Sequence, residues 1–503
     1  METPTAGCVL DQAPDHIEVR FPHLLQLPEA LPALPGAASD VKASTYGWDT
    51  AFAIRMPDVN SAIVKAKCSP AGFSQVAPDG SCSASGTFGP WQLCRGGDGV
   101  LVHFMIPITS GRMTFQGKDT SLSGAVASIE VQLRHIPPQP KGVQASPSDH
   151  QLVIRVDGGS QTDPVVSVVD LKMPSDPGLL PKALISGLLS AWLNQNLDTF
   201  THVFNTVTLN RIVDKKQFAW LAPTHTGYAF SSGPTDDSSI LGVLCMTQGR
   251  TDDNIAAQLS PNAIPAGARA GFLISPQRFL EEMVLPALPK AFPGSSAADF
   301  GMTAKKDAVV NLAKVSMKPV EHMGITYRPV IQSLRISVEG EEIVVSSVTR
   351  TDIALGTYSE VTVTSFQRLK VADKPDGTQT LIYEETRPAI KDHVTKTTAS
   401  GEAAKILLEI AAAIIAIVLT IVTDGGFLII ALIIVSLLVG LLEALPTVIA
   451  NAVGNQVSND SPSIALLVLN STDPIRWPGG SDFRLTWAGL NESLQLGGDP
   501  GFS

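Results

Sequence analysis

Alternation of apolar and polar positions with period two recurs along much of the chain. It is plain at Val102, Phe104, Ile106 and Ile108, at Ile129, Val131 and Leu133, at Leu334, Ile336 and Val338, and at Val361 and Val363. Successive side chains of a strand point to opposite faces, so this pattern predicts strands with one face buried, paired antiparallel. The stretches SPAGFSQVAPDGSCSASG, DGGSQTDP and KPDGTQ supply the turns between them, and no solenoid-type period is present. Sheet is therefore expected to dominate up to about residue 400.

Helical periodicity is confined to a few places. STYGWDTAFAI, from Ser44, reads as a strand; Met56-Pro57-Asp58 then opens a short helix with Val59, Ala62, Ile63 and Ala66 on one face. A longer helix is expected over 181–197. Its polar residues Lys182, Ser186, Ser190 and Asn194 recur every four positions as a narrow stripe, while Leu184, Ile185, Leu188, Leu189, Trp192 and Leu193 cover most of the remaining circumference. An apolar face wider than about 100° implies contacts on several sides, from a curved sheet or from two layers. In AGFLISPQRFLEEMVLPAL, Ser275 and Pro276 start another helix that buries Phe279, Leu280, Met283 and Val284 and turns Glu281 and Glu282 outward. This strand-then-helix order echoes the one at Ser44 and suggests two related halves.

Residues 410–423 and 425–442 are free of charge, with Asp424-Gly425-Gly426 between them. They read as a helical hairpin over 405–443 that includes Ile414, Ile421, Phe427, Ile430 and Ile434. A membrane span needs about 20 apolar residues, and the two runs straddle that length. Three readings stay open: burial inside the protein's own sheet, which is preferred; entry into a bilayer on a trigger; and a permanent anchor. Lys405 is the last basic residue before Arg476, so little flanking charge is present to orient a span.

Composition changes the picture mainly by exclusion. At 503 residues the chain exceeds one ordinary domain. A net charge of -11 speaks against a nucleic-acid partner. Residues 1–43 carry Pro4, Pro14, Pro22, Pro28, Pro32 and Pro35 and are expected to form an extension on the surface or without order. The first residues lack a basic start and an apolar run, so synthesis in the cytoplasm is expected, with later release by another route left open. The cysteines (Cys8, Cys68, Cys82, Cys94, Cys245) are odd in number with no C-x-x-C, so reduced thiols are expected. The stretch GRMTFQGKDT has the wrong glycine spacing for a phosphate loop. The nine histidines are scattered singly. Asp236-Asp237, Asp252-Asp253 and Glu339 to Glu342 lack calcium-loop spacing. No catalytic residue, metal ligand or cofactor is proposed, and a non-enzymatic protein is expected.

Several motifs taken in order resemble one family: STYGWDTAF from Ser44, GTFGPWQL from Gly86 leading into GGDGVLVHFMIPI, FAWLAPTHTGYAF from Phe218, AGFLISPQRFLEEMVLPAL from Ala270, and the ending PIRWPGGSDFRLTWAGLNESLQLGG. They are similar to the P-forty-seven accessory proteins encoded in clostridial (botulinum) neurotoxin gene clusters. The resemblance spans about residues 44–498. It implies an α+β fold of the tubular lipid-binding (TULIP) kind, related to bactericidal/permeability-increasing proteins, in which strongly curved antiparallel sheets wrap long apolar helices. The chain would divide into a first half over 44–265 and a second over 266–503 that includes the 405–443 hairpin. The resemblance further implies an accessory role in virulence, with a lipid or other apolar ligand, or proteins of the same cluster, as partners. The ligand tunnel would then be bordered by Leu184, Leu188 and Trp192. Trp48, Trp91 and Trp220 lie in the resembling motifs and serve equally as buried anchors or as stacking surfaces.

Overall fold

The computed structural model describes residues 11–13, 16–20, 42–67, 69–136, 149–154, 165–197, 206–208, 218–292, 294–317, 319–322, 324–373, 379–399, 403, 465–472, 475–476 and 483–500. The chain divides into two compact units. One comprises residues 43–275, 465–487 and 495–503; the other comprises 1–42, 276–464 and 488–494. The sequence expectation put the break after residue 265.

In the unit that begins at Ala43, strand β1 (Thr50–Arg55) leads directly into α1 (Met56–Ala66). Pro57 sits in the first turn of α1; Val59, Ala62 and Ile63 are buried, as their spacing predicts, and so is Met56. A ten-stranded sheet follows. Its main members are β2 (Gly72–Val76), β3 (Cys82–Phe88), β4 (Gln92–Cys94), β5 (Leu101–Phe115), β6 (Ala125–Ile136) and β7 (Val166–Lys172). β5 pairs β3 and β4 along one edge and β6 along the other, and β7 pairs the far edge of β6, all antiparallel. The alternation read from sequence is realised: Val102, Phe104, Ile106 and Ile108 of β5, and Ile129 and Val131 of β6, are essentially inaccessible. After β7 comes α2 (Leu179–Gln195).

A seven-stranded sheet, whose residues apart from 488–491, 493 and 494 belong to the same unit, runs Arg484–Asn491, Ser493–Asp499, β9 (Ala270–Ile274), β1, β8 (Ile240–Thr247), Pro223–Ser231 and Asp98–Gly99. Every residue of β8 is buried, the mark of a strand covered on both faces. Asp49, only 1% exposed, is held where β8 ends: its carboxylate accepts from the Thr247 backbone N–H and hydroxyl, both at 2.9 Å, and faces Arg250 Nε at 3.3 Å. Trp48 and Trp91 are 1% exposed and Trp220 is 6% exposed. Gly227 in the FAWLAPTHTGYAF motif leaves room for Trp48, whose Cη2 would lie 2.8 Å from an added Cβ.

The second unit is dominated by a nine-stranded antiparallel sheet. Its long members are β10 (Val330–Glu339), β11 (Glu342–Ala354), β12 (Thr357–Asp373) and β13 (Gln379–Thr397), paired in that order. The segment 270–288 places Phe279, Leu280, Met283 and Val284 in the core as expected, but as a π-helical turn over Phe279–Val284 rather than a regular α-helix. Glu281 and Glu282 do not simply face water. Arg278, 2% exposed, reaches Glu281 at 3.0 Å and Glu282 at 3.1 Å, because a buried guanidinium needs anionic partners.

Two expectations need correction. Antiparallel sheet does predominate, but long apolar helices wrapped by it are not found among the described residues. Helices there are few and short, and α2, with 17 residues, is the longest. Its N-terminal Leu179 and Leu180 are 90% and 59% exposed, so that end is not wrapped. The N-terminal extension also contributes structure: Asp11–Ala13 and His16–Arg20 pair as a hairpin, and His16–Arg20 adds to β13 with Ile17 opposite Thr397. An open strand edge accepts any extended segment through backbone hydrogen bonds, which needs no apolar alternation in the added strand. The 405–443 stretch with Ile414, Ile421, Phe427, Ile430 and Ile434 lies outside the described residues.

Candidate functional site

The proposed apolar site centres on α2, where Leu184, Leu188 and Trp192 recur every four residues on one face. Leu184 is half-buried, while Leu188 and Trp192 are 6% and 9% exposed. Trp192 joins an aromatic cluster in the sheet. Its ring centroid lies 6.2 Å from Phe73 of β2 and 5.5 Å from Phe88 of β3. Phe73 and Phe88 stack at 5.1 Å, Phe88 meets Trp91 edge-on at 5.5 Å, and Trp91 lies 6.4 Å from Phe104 of β5. Such tilted and edge-on pairs are the preferred geometries of aromatic quadrupoles.

The polar stripe of α2 is not a solvated face. Asn194 clamps the start of β7: its Oδ1 accepts the Val166 N–H at 3.1 Å and its Nδ2 donates to the Val166 carbonyl at 2.7 Å. Ser190 Oγ donates to the same carbonyl at 3.3 Å. At the other end, Lys182 pairs with Asp176 at 3.4 Å. Asp176 also accepts the Gly178 N–H at 3.0 Å, and that bond, followed by the Lys182 contact, holds its carboxyl below the ordinary value. The helix touches β7 on one side and β2 and β3 on the other. Its exposed positions are Leu179, Leu180, Ala183, Gly187 and the C-terminal Gln195, of which the first four make an apolar strip in contact with solvent. The four-residue repeat found the stripe, but nothing in the sequence named β7 as its partner.

Several other titratable groups sit in structural pairs. His103 faces Glu130 at 3.0 Å, and His225 faces Asp252 at 3.0 Å with Trp48 stacked 6.4 Å away. Asp236 pairs with Arg95 at 3.1 Å. Cys82, Cys94 and Cys245 are free thiols. Burial pushes Cys245 up to about 12, and burial followed by the charge of Asp236 raises Cys94, so neither is a ready nucleophile. Among the described residues no group of three or more His, Cys, Asp or Glu side chains gathers closely enough to hold a metal ion. Among the same residues no helix is long and apolar enough to cross a membrane.

The sequence as a whole matches one family model, described as "OrfX-like: Protein OrfX2/OrfX3/P47", over residues 45–498. The chain belongs to the OrfX-like family. Among curated relatives, it is 31% identical to Protein OrfX3 of Paraclostridium bifermentans, over 91% of this chain and 98% of that protein. It is 32% identical to Protein OrfX3 of Clostridium botulinum (strain Kyoto / Type A2), over 91% and 99% respectively. The OrfX-like fold is seen again in the solved structure of P47 from Clostridium botulinum A2. That structure superposes with a TM-score of 0.64 at 17% identity, covering 91% of this chain and 98% of P47. P47 of Clostridium botulinum E1 gives 0.62 at 15% identity, over 91% and 100%. The resemblance drawn from the Ser44, Gly86, Phe218 and Ala270 motifs is thereby established.

Proposed function

We propose that this OrfX-like chain is a non-enzymatic accessory protein of a bacterial toxin-type gene cluster that binds a lipid or other apolar ligand beside α2. The observation that carries the reading is the reach of α2. Along the pairing order β7, β6, β5, β3, β2, the two border strands are four spacings apart, about 19 Å in a flat sheet, whereas a helix with its side chains is about 10–12 Å across. Yet within a single turn of α2 Asn194 bonds Val166 of β7 while Trp192 packs against Phe73 of β2, which favours a sheet curled around the C-terminal half of the helix in the TULIP manner. Leu184, Leu188 and Trp192 would border the ligand. Native mass spectrometry of the gently purified protein tests the idea. A hydrocarbon-bearing adduct that is lost on Leu184→Arg is expected; a bare mass in repeated preparations overturns it.

A second reading, a scaffold for proteins encoded nearby, is favoured by the outward Leu179 and Leu180. Leu179→Ser with Leu180→Ser should then abolish capture of neighbouring gene products while leaving the melting temperature unchanged. For the 405–443 stretch the proposal remains burial within the protein's own sheet, with bilayer entry as the competing role. A charge costs roughly a few kcal/mol in a bilayer and as much in a closed core. Burial predicts that Ile430→Asp misfolds, whereas a segment working only in a bilayer predicts a folded Ile430→Asp protein that no longer makes liposomes leak.

A further inference from the structure

The nine-stranded sheet carries a line of polar side chains where an apolar face would be expected. Ser347 and Thr349 of β11 and Ser365 and Gln367 of β12 are 2%, 8%, 0% and 4% exposed. Ser347 Oγ, Thr349 Oγ1, Ser365 Oγ and Gln367 Nε2 are fully enclosed and have no hydrogen-bond partner among the described residues. Register puts the four on one face: Ser347 lies opposite Val363, Thr349 opposite Val361, Val345 opposite Ser365 and Ile343 opposite Gln367. The line thus runs diagonally across two strands, for about 20 Å at the ordinary rise per residue. Around it the same face is apolar and closed, with Leu334, Ile336, Ile343, Val345 and Val363 at most 2% exposed.

Buried hydroxyls and amides are almost always paired, so a contiguous run of orphans marks partners supplied from elsewhere. The other end of the face behaves normally, since Thr357 and Thr397 bond each other at 2.6 Å. Isolated waters fit the line poorly. A buried water needs 2–4 polar partners, whereas directly across the strands Ser347 meets Leu334 and Val363, Thr349 meets Ile331 and Val361, and Ser365 meets Val345. A molecule that brings several acceptor oxygens on a hydrocarbon frame satisfies both halves of the surface. Gln367 Nε2 can only donate, so the incoming group must accept.

We propose that the Ser347, Thr349, Ser365 and Gln367 line is a binding site for an acyl compound, a hydrocarbon chain carrying ester or carboxylate oxygens. The proposal rests on the reading of the chain as a carrier of apolar ligands, and adds a polar selectivity that the α2 site lacks. The test uses the full chain and three fluorescent probes sharing one dye: labelled hexadecanoic acid, its methyl ester, and the matching alkane. The fourfold variant Ser347→Ala, Thr349→Val, Ser365→Ala, Gln367→Met removes the donors at little change of shape, and Thr397→Val serves as control. Wild type and the Thr397→Val control should bind acid and ester at least about tenfold tighter than alkane, the range expected for hydrogen bonds made in a closed site. In the fourfold variant that gap closes while alkane binding holds. If no probe binds wild type, the carrier reading fails and this site with it. If the probes bind but the variant keeps the gap, the site alone is overturned. A variant that only melts higher, with probe binding unchanged, identifies a line of ordered waters and overturns it equally.

Discussion

Replacing Asn194 by Ala isolates the contact that fixes α2 to the sheet. The change removes the bond from the Val166 N–H at 3.1 Å, the bond to its carbonyl at 2.7 Å, and an intrahelical bond to the Ser190 carbonyl at 2.8 Å. Val166 is fully buried, so its N–H loses its partner without gaining water, at roughly 1–3 kcal/mol. The Val166 carbonyl keeps Ser190 Oγ at 3.3 Å, and the remaining loss is about one net hydrogen bond, near 1 kcal/mol. The sum is about 2–4 kcal/mol. Urea unfolding followed by tryptophan fluorescence measures it, since Trp192 sits two residues away on the same helix. Ser186→Ala, two turns earlier on the polar stripe, should stay within about 0.5 kcal/mol, as substitutions away from such features usually do. Equal, small effects of Asn194→Ala and Ser186→Ala would refute the clamp and return the stripe to a solvated face.

Other outcomes follow from the same reasoning. Arg278→Met strands two carboxylates that are only 27% and 20% exposed; a loss of about 3 kcal/mol is expected, largely recovered by adding Glu281→Gln and Glu282→Gln, and a triple variant no better than the single one defeats the assignment. Cys245, held near 12 by burial, should resist iodoacetamide in the native protein and react only after unfolding; labelling at the rate of a free thiol would contradict the burial. Asp176 has a depressed folded-state pKa, so its stabilising effect is present above the ordinary carboxylate value and fades as pH falls through the folded one. The stability gap between wild type and Asp176→Ala should therefore shrink in acid, and a gap that stays constant from neutral pH to strong acid excludes the linkage.

The strands were legible because Val102, Phe104, Ile106 and Ile108 have one apolar face each, and that face is what the fold buries. Helices α1 and α2 were legible from Val59, Ala62 and Ile63 and from the repeat ending at Asn194. What escaped depends on partners distant in sequence. Ser347, Thr349 and Thr351 alternate with Val348 and Arg350, which reads as a solvated face, yet the structure buries all three residues. Glu281 and Glu282 look like surface charges until the buried Arg278 is placed beside them. The strand at 16–20 has only a brief alternation, Ile17 and Val19 among six prolines in residues 1–43, and nothing in the sequence named the edge of β13 as its partner. The candidate site was legible as an apolar helix, while its clamp to β7 and its aromatic neighbours Phe73 and Phe88 were not.

The strand Ser493–Asp499 completes the seven-stranded sheet by lying beside β9. Gln495 Nε2 donates to the carbonyls of Asn262 and Ala263, the latter 232 residues earlier, and Arg269 N–H donates to the Gly498 carbonyl at 3.1 Å. During synthesis β9 emerges from the ribosome long before this neighbour exists. Its edge stays open for the whole of that interval, in the state most prone to wrong pairing. Chain order thus makes closure of this edge wait for the synthesis of residues 493–499, and ties the yield of this protein to how well the nascent chain is chaperoned.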